Sequence, residues 1–123
     1  TSPDGGSTYF LPRLIGRRRA MEMALLNRPL DAEKALNLGL VNEVVTEDQL
    51  TETSLRIASK LADGAAVAIA GAKNLINRSF ESSGLADHLE LERASFRRCA
   101  ATEDFAEGLS AFLEKRRPNF KGF

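Results

Sequence analysis

Apolar side chains recur every three or four residues along most of the sequence, the spacing that lines one face of a helix. Ser7 to Ile15 reads as a short first helix with Asp4 or Ser7 as N-cap and Gly16 as its stop; Pro12 either kinks it or moves its start later. A second helix runs from about Arg17 to Leu26. Beyond Pro29, Asp31 to Leu38 reads as a brief helix, with Asp31 or Pro29 near its start and Gly39 as the left-handed residue after its end. Thr46 and Gln49 have the spacing of a capping box, and Leu50, Ile57 and Leu61 mark one face of the helix they open, which Asp63-Gly64 breaks after about Ala62.

Three further amphipathic stripes follow. Ile69, Ala72, Ile76 and Phe80 share a face over Ala65 to Phe80; Leu85, Leu89, Glu92, Phe96 and Cys99 share one after Ser82-Ser83-Gly84. Phe105, Leu109 and Phe112 share the last, on a helix that Thr102 caps and Pro118 stops. Only Leu40 to Val45 has the β-branched enrichment of a strand, and nothing else in the chain offers to pair with it, so it is either merely extended or paired with sequence outside this chain. The fold class is mostly α, about six helices in one domain with at most one strand, with no internal repeat and no linker long enough to divide domains.

Equal counts of acidic and basic residues, 17 of each, argue against a nucleic-acid partner. A single Cys99 and a single His88 leave no disulfide framework and no protein-only metal site, so both read as structural and the compartment as reducing and cytoplasmic. No apolar run approaches the roughly 18 residues of a membrane span, and no charged-then-apolar leader precedes the first turn, so the chain is expected to be soluble with no membrane partner. Without an initiating Met, its start reads as processing, proteolysis or trimming.

The candidate chemistry sits at the beginning. Asp4 stands beside Gly5 and Gly6, which let backbone pass close to a ligand, and burial against Tyr9, Phe10 or Leu11 would raise its pKa toward that of a working general base. The same Pro3-Asp4-Gly5-Gly6 string is a common turn and capping device, so residue type leaves both roles open.

Several motifs in order carry a resemblance: the run from Pro3-Asp4-Gly5-Gly6 through Leu14-Ile15-Gly16, then Arg19-Ala20-Met21-Glu22, Ala32-Glu33-Lys34-Ala35, Gly39-Leu40-Val41-Asn42-Glu43-Val44-Val45, and Glu107-Gly108-Leu109-Ser110-Ala111-Phe112-Leu113-Glu114-Lys115-Arg116. Together they resemble the C-terminal part of the enoyl-CoA hydratase/isomerase, or crotonase, family over nearly the whole chain. The resemblance implies an α/β fold with a spiral of ββα units in its N-terminal half and a helical C-terminal region that packs subunits into trimers or pairs of trimers. Residues 1–123 would be the C-terminal region, with 1–45 the end of the spiral core and 46–123 the helical oligomerisation region.

The family stabilises a thioester enolate with two backbone N–H groups, and these donors and most of the CoA surface would lie upstream of Thr1. The chain therefore reads as the back half of an acyl-CoA-processing enzyme, inactive alone. Hydratases of the family use two glutamates that would also precede Thr1, whereas several isomerases place an aspartate where Asp4 stands. That favours an enoyl-CoA isomerase over a hydratase, with Asp4 taking a proton from one carbon of an enoyl thioester and returning it to another, in fatty-acid metabolism. Tyr9 would line the acyl pocket or simply pack; Arg13, Arg17, Arg18 and Arg19 would meet CoA phosphates or form a solvated face. Phe120 and Lys121 correspond to aromatic and basic positions that reach the adenine and phosphates of a CoA held mainly by another subunit, or else they fray as a tail. Coenzyme A enters as the substrate's carrier, with no metal and no other cofactor. The alternative reading is a non-catalytic helical self-association module.

Overall fold

The computed structural model describes residues 2–123, and among them every regular element is helical. The helices are α1 (Ser7–Ile15), α2 (Arg17–Leu26), α3 (Ala32–Asn37), α4 (Glu47–Ala62), α5 (Ala66–Arg78), α6 (Leu85–Ala100) and α7 (Glu103–Glu114). The chain divides into two compact units, the first ending at Leu50 and the second being Thr51–Phe123, with α4 beginning in the first and continuing through the second.

In the first unit α1 packs on α2, burying Ile15 and Ala20 on either side of Gly16, whose φ of 83° lets the chain turn between them. Neither Asp4 nor Ser7 caps α1; the N-cap is Gly6, and Pro12 is accommodated inside the helix. Helix α3 is held by local bonds at both ends. Asp31 Oδ1 accepts the Lys34 N–H at 2.8 Å, and the Lys34 ammonium followed by that N–H holds the Asp31 carboxyl below its usual range. At the other end Leu40 N–H reaches Ala35 O and Gly39 N–H reaches Leu36 O, both at 2.9 Å, with Gly39 at φ 73°, a Schellman ending. Residues 40–45, the one stretch with strand composition, form no regular element, since no second strand exists among the described residues to pair their N–H and C=O groups.

In the second unit α5 packs on α6 and α6 on α7. The α5–α6 approach is close: a Cβ built on Gly71 would stand 2.7 Å from the Oγ of buried Ser95. Val67, Gly71 and Leu75 are partly buried at four-residue spacing on α5, and His88, Leu91 and Cys99 beside Ser95 at three- and four-residue spacing on α6. Apart from Cys99, these are not the residues that periodicity singled out. Ile76 is 65% exposed and Phe96 63%, so the larger apolar faces point outward, and α5 stops at Arg78, short of Phe80. Accessible surface totals 10091 Å². Two separate globules of half the mass would expose only about 7,800 Å².

Thr102 caps α7 as its spacing predicts, its Oγ accepting the Phe105 N–H at 3.1 Å. Pro118 does not end the helix. Lys115 does, in the left-handed conformation (φ 55°), with Arg116 N–H bonded to Ala111 O at 3.0 Å. The chain then doubles back along α7 as a strap. Arg116 grips Glu107 with both guanidinium nitrogens, at 2.6 and 2.9 Å, and Asn119 N–H bonds Glu107 Oε1 at 2.8 Å. Further on, the buried carboxylate of Asp104 accepts Lys121 N–H at 2.6 Å and Gly122 N–H at 2.8 Å, while Asp104's own N–H donates to Phe123 O at 3.1 Å.

Two predictions follow from this packing. Gly71→Ala gains about 1 kcal/mol of helix propensity but overpacks a tight contact, which costs about 1–3 kcal/mol. A net loss of about 1 kcal/mol is expected in denaturant titration, reverting to a gain when Ser95→Ala removes the obstructing Oγ. The second concerns acid. Arg116, and after it the Asn119 N–H, pull the Glu107 carboxyl from its ordinary 4.5 down to about 2. A carboxyl with a depressed folded pKa stabilises fully above its unfolded value, and that contribution disappears as pH falls from about 4.5 through about 2. Melting temperatures over that window should fall more steeply for the native chain than for Glu107→Gln, and parallel curves would remove the strap clamp as a contributor.

Candidate functional site

Asp4 sits on a tight turn. Its carbonyl accepts the Ser7 N–H at 3.1 Å, and both intervening glycines are left-handed, Gly5 at φ 62° and Gly6 at φ 82°. Positive φ at both central positions strains any residue with a Cβ, which is the physical reason for consecutive glycines here. A side chain on Gly6 would also press on the Phe10 ring at 3.0 Å. The turn leaves Asp4 exposed, and its carboxylate has no hydrogen-bond partner among the described residues. The expected burial against Tyr9, Phe10 or Leu11 is absent.

Beside this turn an apolar cleft of about 130 Å³ opens between α1 and α2, lined by Pro3, Ser7, Thr8, Leu11, Ala20 and Met21 among others. Tyr9 does not line it. Its ring meets Phe10 edge-on at 5.1 Å and carries the Arg13 guanidinium 3.6 Å above its face, while Arg13 Nη1 donates to Tyr9 O at 2.8 Å. Tyr9 and Arg13 thus satisfy each other on the surface of α1. Of the arginine run, Arg17 borders the cleft, and all three of Arg17, Arg18 and Arg19 are exposed. Sequence reasoning passed over Ser7 and Thr8 as lining residues, although they share a helical face with Leu11.

Phe120 and Lys121 belong to the second unit, on the strap. Phe120 is partly buried beside Gly108, where a Cβ would approach its ring to 3.5 Å, and it helps to wall an apolar cleft of about 290 Å³ with Val67, Ala68, Cys99, Phe105 and Leu109. Lys121 Nζ lies 3.7 Å from Glu103 and 6.0 Å from the Phe123 ring centroid, and its side chain is mostly exposed. A ring and a cation are therefore adjacent on a backbone that α7 holds in place, instead of on a frayed end. Asp104, which does much of that holding, carried no signal in the sequence beyond its place in the first turn of α7.

His88 is engaged locally, with Ser82 Oγ 3.1 Å from Nδ1 and Glu92 3.8 Å from Nε2. No group of three or more His, Cys, Asp or Glu residues is placed to hold a metal ion among the described residues, and no described helix is long and apolar enough to cross a membrane.

Comparison with known proteins is consistent along the chain's length. The 1,2-epoxyphenylacetyl-CoA isomerase of Escherichia coli K12 is 42% identical over 120 residues, which is 98% of this chain and 45% of that protein. A probable enoyl-CoA hydratase of Mycobacterium tuberculosis is 42% identical over 118 residues, 96% of this chain and 46% of that protein. The crystal structure of an enoyl-CoA hydratase from Bacillus anthracis superposes with a TM-score of 0.93 at 37% identity, covering 100% of this chain and 47% of that one. The chain spans about half the length of the curated relatives it matches, and corresponds to their C-terminal part. The enoyl-CoA hydratase/isomerase profile matches residues 1–122, and the chain belongs to that family.

Proposed function

We propose that this chain is the C-terminal region of an acyl-CoA-processing enzyme that isomerises the double bond of an enoyl thioester through a stabilised enolate, with Asp4 as the base. The observation that carries the reading is the free, exposed Asp4 carboxylate on a double-glycine turn beside an apolar cleft. A carboxylate with no internal partner keeps its lone pairs for an external proton, and an apolar cleft suits an acyl chain. One carboxylate suffices to remove a proton from one carbon and deliver it to another, provided that N–H donors hold the enolate oxygen between the two transfers. On this reading those donors come from the portion of the family fold that this chain does not span. Among the relatives one is named a 1,2-epoxyphenylacetyl-CoA isomerase and others enoyl-CoA hydratases, so the choice of isomerisation rests on the Asp4 turn. Hydration is the competing reaction, and it would rest on carboxylates outside this chain.

The same reading assigns Phe120 and Lys121 to the adenine and phosphates of coenzyme A. Residues 1–45 then close the spiral core, and 46–123 form the oligomerisation region of a cytoplasmic trimer or pair of trimers. Support for assembly comes from outward-facing Ile76, Phe80, Leu85, Phe96, Phe112 and Leu113, each more than half exposed. The self-association module draws on those faces alone and does not account for the Asp4 turn.

In the full-length enzyme, Asp4→Asn should lower turnover by roughly 10²- to 10⁴-fold with CoA affinity nearly unchanged, since the change removes proton transfer but keeps size. Full turnover in that variant would reduce Asp4 to a turn residue and return the reaction to hydration. Light scattering of this chain at tens of micromolar should give a trimer or a multiple of one. A clean monomer would sink the assembly claim.

A further inference from the structure

Asp104 is a buried carboxylate, 3% exposed, to which neither the family resemblance nor the site described above gives a role. In the first turn of α7 a carboxylate is favourable because of the helix dipole, but Glu103 next to it satisfies that need while exposed. Burial has to be explained separately, because a carboxylate taken from water is costly unless hydrogen bonds replace its hydration. Here they come from the strap: Oδ1 takes Lys121 N–H at 2.6 Å and Oδ2 takes Gly122 N–H at 2.8 Å. Charge-assisted bonds of this kind are the strong class, and two oxygens on consecutive amides set direction as well as distance.

The grip extends to the neighbouring residues. Asp104 N–H holds Phe123 O at 3.1 Å, and Glu107, one helical turn along, holds Asn119 N–H at 2.8 Å. Backbone on both sides of Phe120 is therefore tied to α7, and the backbone of Lys121 is tied directly. Gly108, next after Glu107 on α7, lies beside the Phe120 ring, where a Cβ would come to 3.5 Å. A cation on an untied backbone binds only after that backbone has been ordered.

We infer that Asp104 is a positioning residue for coenzyme A: by gripping the backbone of Lys121 and Gly122 it presents the Phe120 ring and the Lys121 ammonium, ready placed, to the adenine and phosphates. The inference rests on the reading of Phe120 and Lys121 given above. It separates Asp104 from chemistry, so its loss should act on binding and leave the reaction step alone.

The test uses the full-length enzyme with coenzyme A as the probe. In Asp104→Asn, which gives up one acceptor and keeps the size, hydrogen exchange at Lys121 and Gly122 should quicken. The Kd for CoA and the KM should rise roughly 10-fold, and kcat should stay within about 2-fold. Gly122→Ala leaves α7 untouched but strains a backbone at φ 91°, and should reproduce the pattern if the Asp104 variant folds poorly. Lys121→Ala separates the two claims. If Lys121→Ala weakens CoA binding while both strap-loosened variants bind as the native enzyme does, the positioning role is wrong and the CoA contact stands. If Lys121→Ala binds CoA normally, the contact is wrong and the positioning role falls with it. Unchanged exchange at the strap amides in Asp104→Asn would overturn the inference by itself.

Discussion

In the second unit α5 and α6 meet where Gly71 faces Ser95, so closely that a Cβ on Gly71 would stand 2.7 Å from the Ser95 Oγ. Helices that meet at a glycine lie near each other. Leu75 and Leu91 stay partly buried on the contacting faces, while Ile76 and Phe96 are carried outward. Ser95 is buried at 5% exposure while Phe96, its neighbour in sequence, is open at 63%. A helix pair built in this way stabilises itself with modest burial and keeps its strongest apolar surface for a second contact.

The strap is governed by a different balance. Phe120 is partly buried beside Gly108, and the chain beyond Lys115 is tied to α7 mainly through polar bonds. Glu107 is satisfied by Arg116 and Asn119, and Asp104 by Lys121 and Gly122. The reversal itself requires Lys115 to adopt a left-handed conformation that a residue with a Cβ enters at a cost of roughly 1–2 kcal/mol. Hydrogen bonds along the strap offset that cost. This accounts for a terminal segment that is ordered against a helix despite its polar character, and it brings a ring and a cation into fixed positions on one short stretch.

At the other end of the chain the turn at Asp4 works by leaving a group unsatisfied. Its backbone carbonyl is used by Ser7, its two glycines absorb the positive φ angles, and its carboxylate is left with nothing to bind among the described residues. A capping role would have consumed that carboxylate, and the helix takes Gly6 as its N-cap instead. Exposure alone does not make a base; the role we propose for Asp4 draws also on the neighbouring apolar cleft and on membership of the enoyl-CoA hydratase/isomerase family.

Much of this was legible in the residues themselves. The limits of α1 and α2, the Asp31 and Thr102 caps, the Gly39 ending of α3 and the break after Ala62 all depend on bonds between residues no more than five apart, and local sequence determines such bonds. The family was legible for a similar reason, since ordered motifs spread over most of the chain leave little freedom for another origin. What the sequence left open was everything settled by partners far along the chain. Periodicity located apolar faces on α5 and α6 but could not say which face the neighbouring helix would cover, and the tighter, small-residue face won because it allows closer packing. Residues 40–45 have strand composition, yet a strand exists only with a second strand to bond, and none is present among the described residues. Asp104 and Lys121 lie 17 residues apart, and no pattern in the sequence announces their contact. It arises because the left-handed turn at Lys115 sends the chain back along α7, where the strap's amides reach the buried carboxylate.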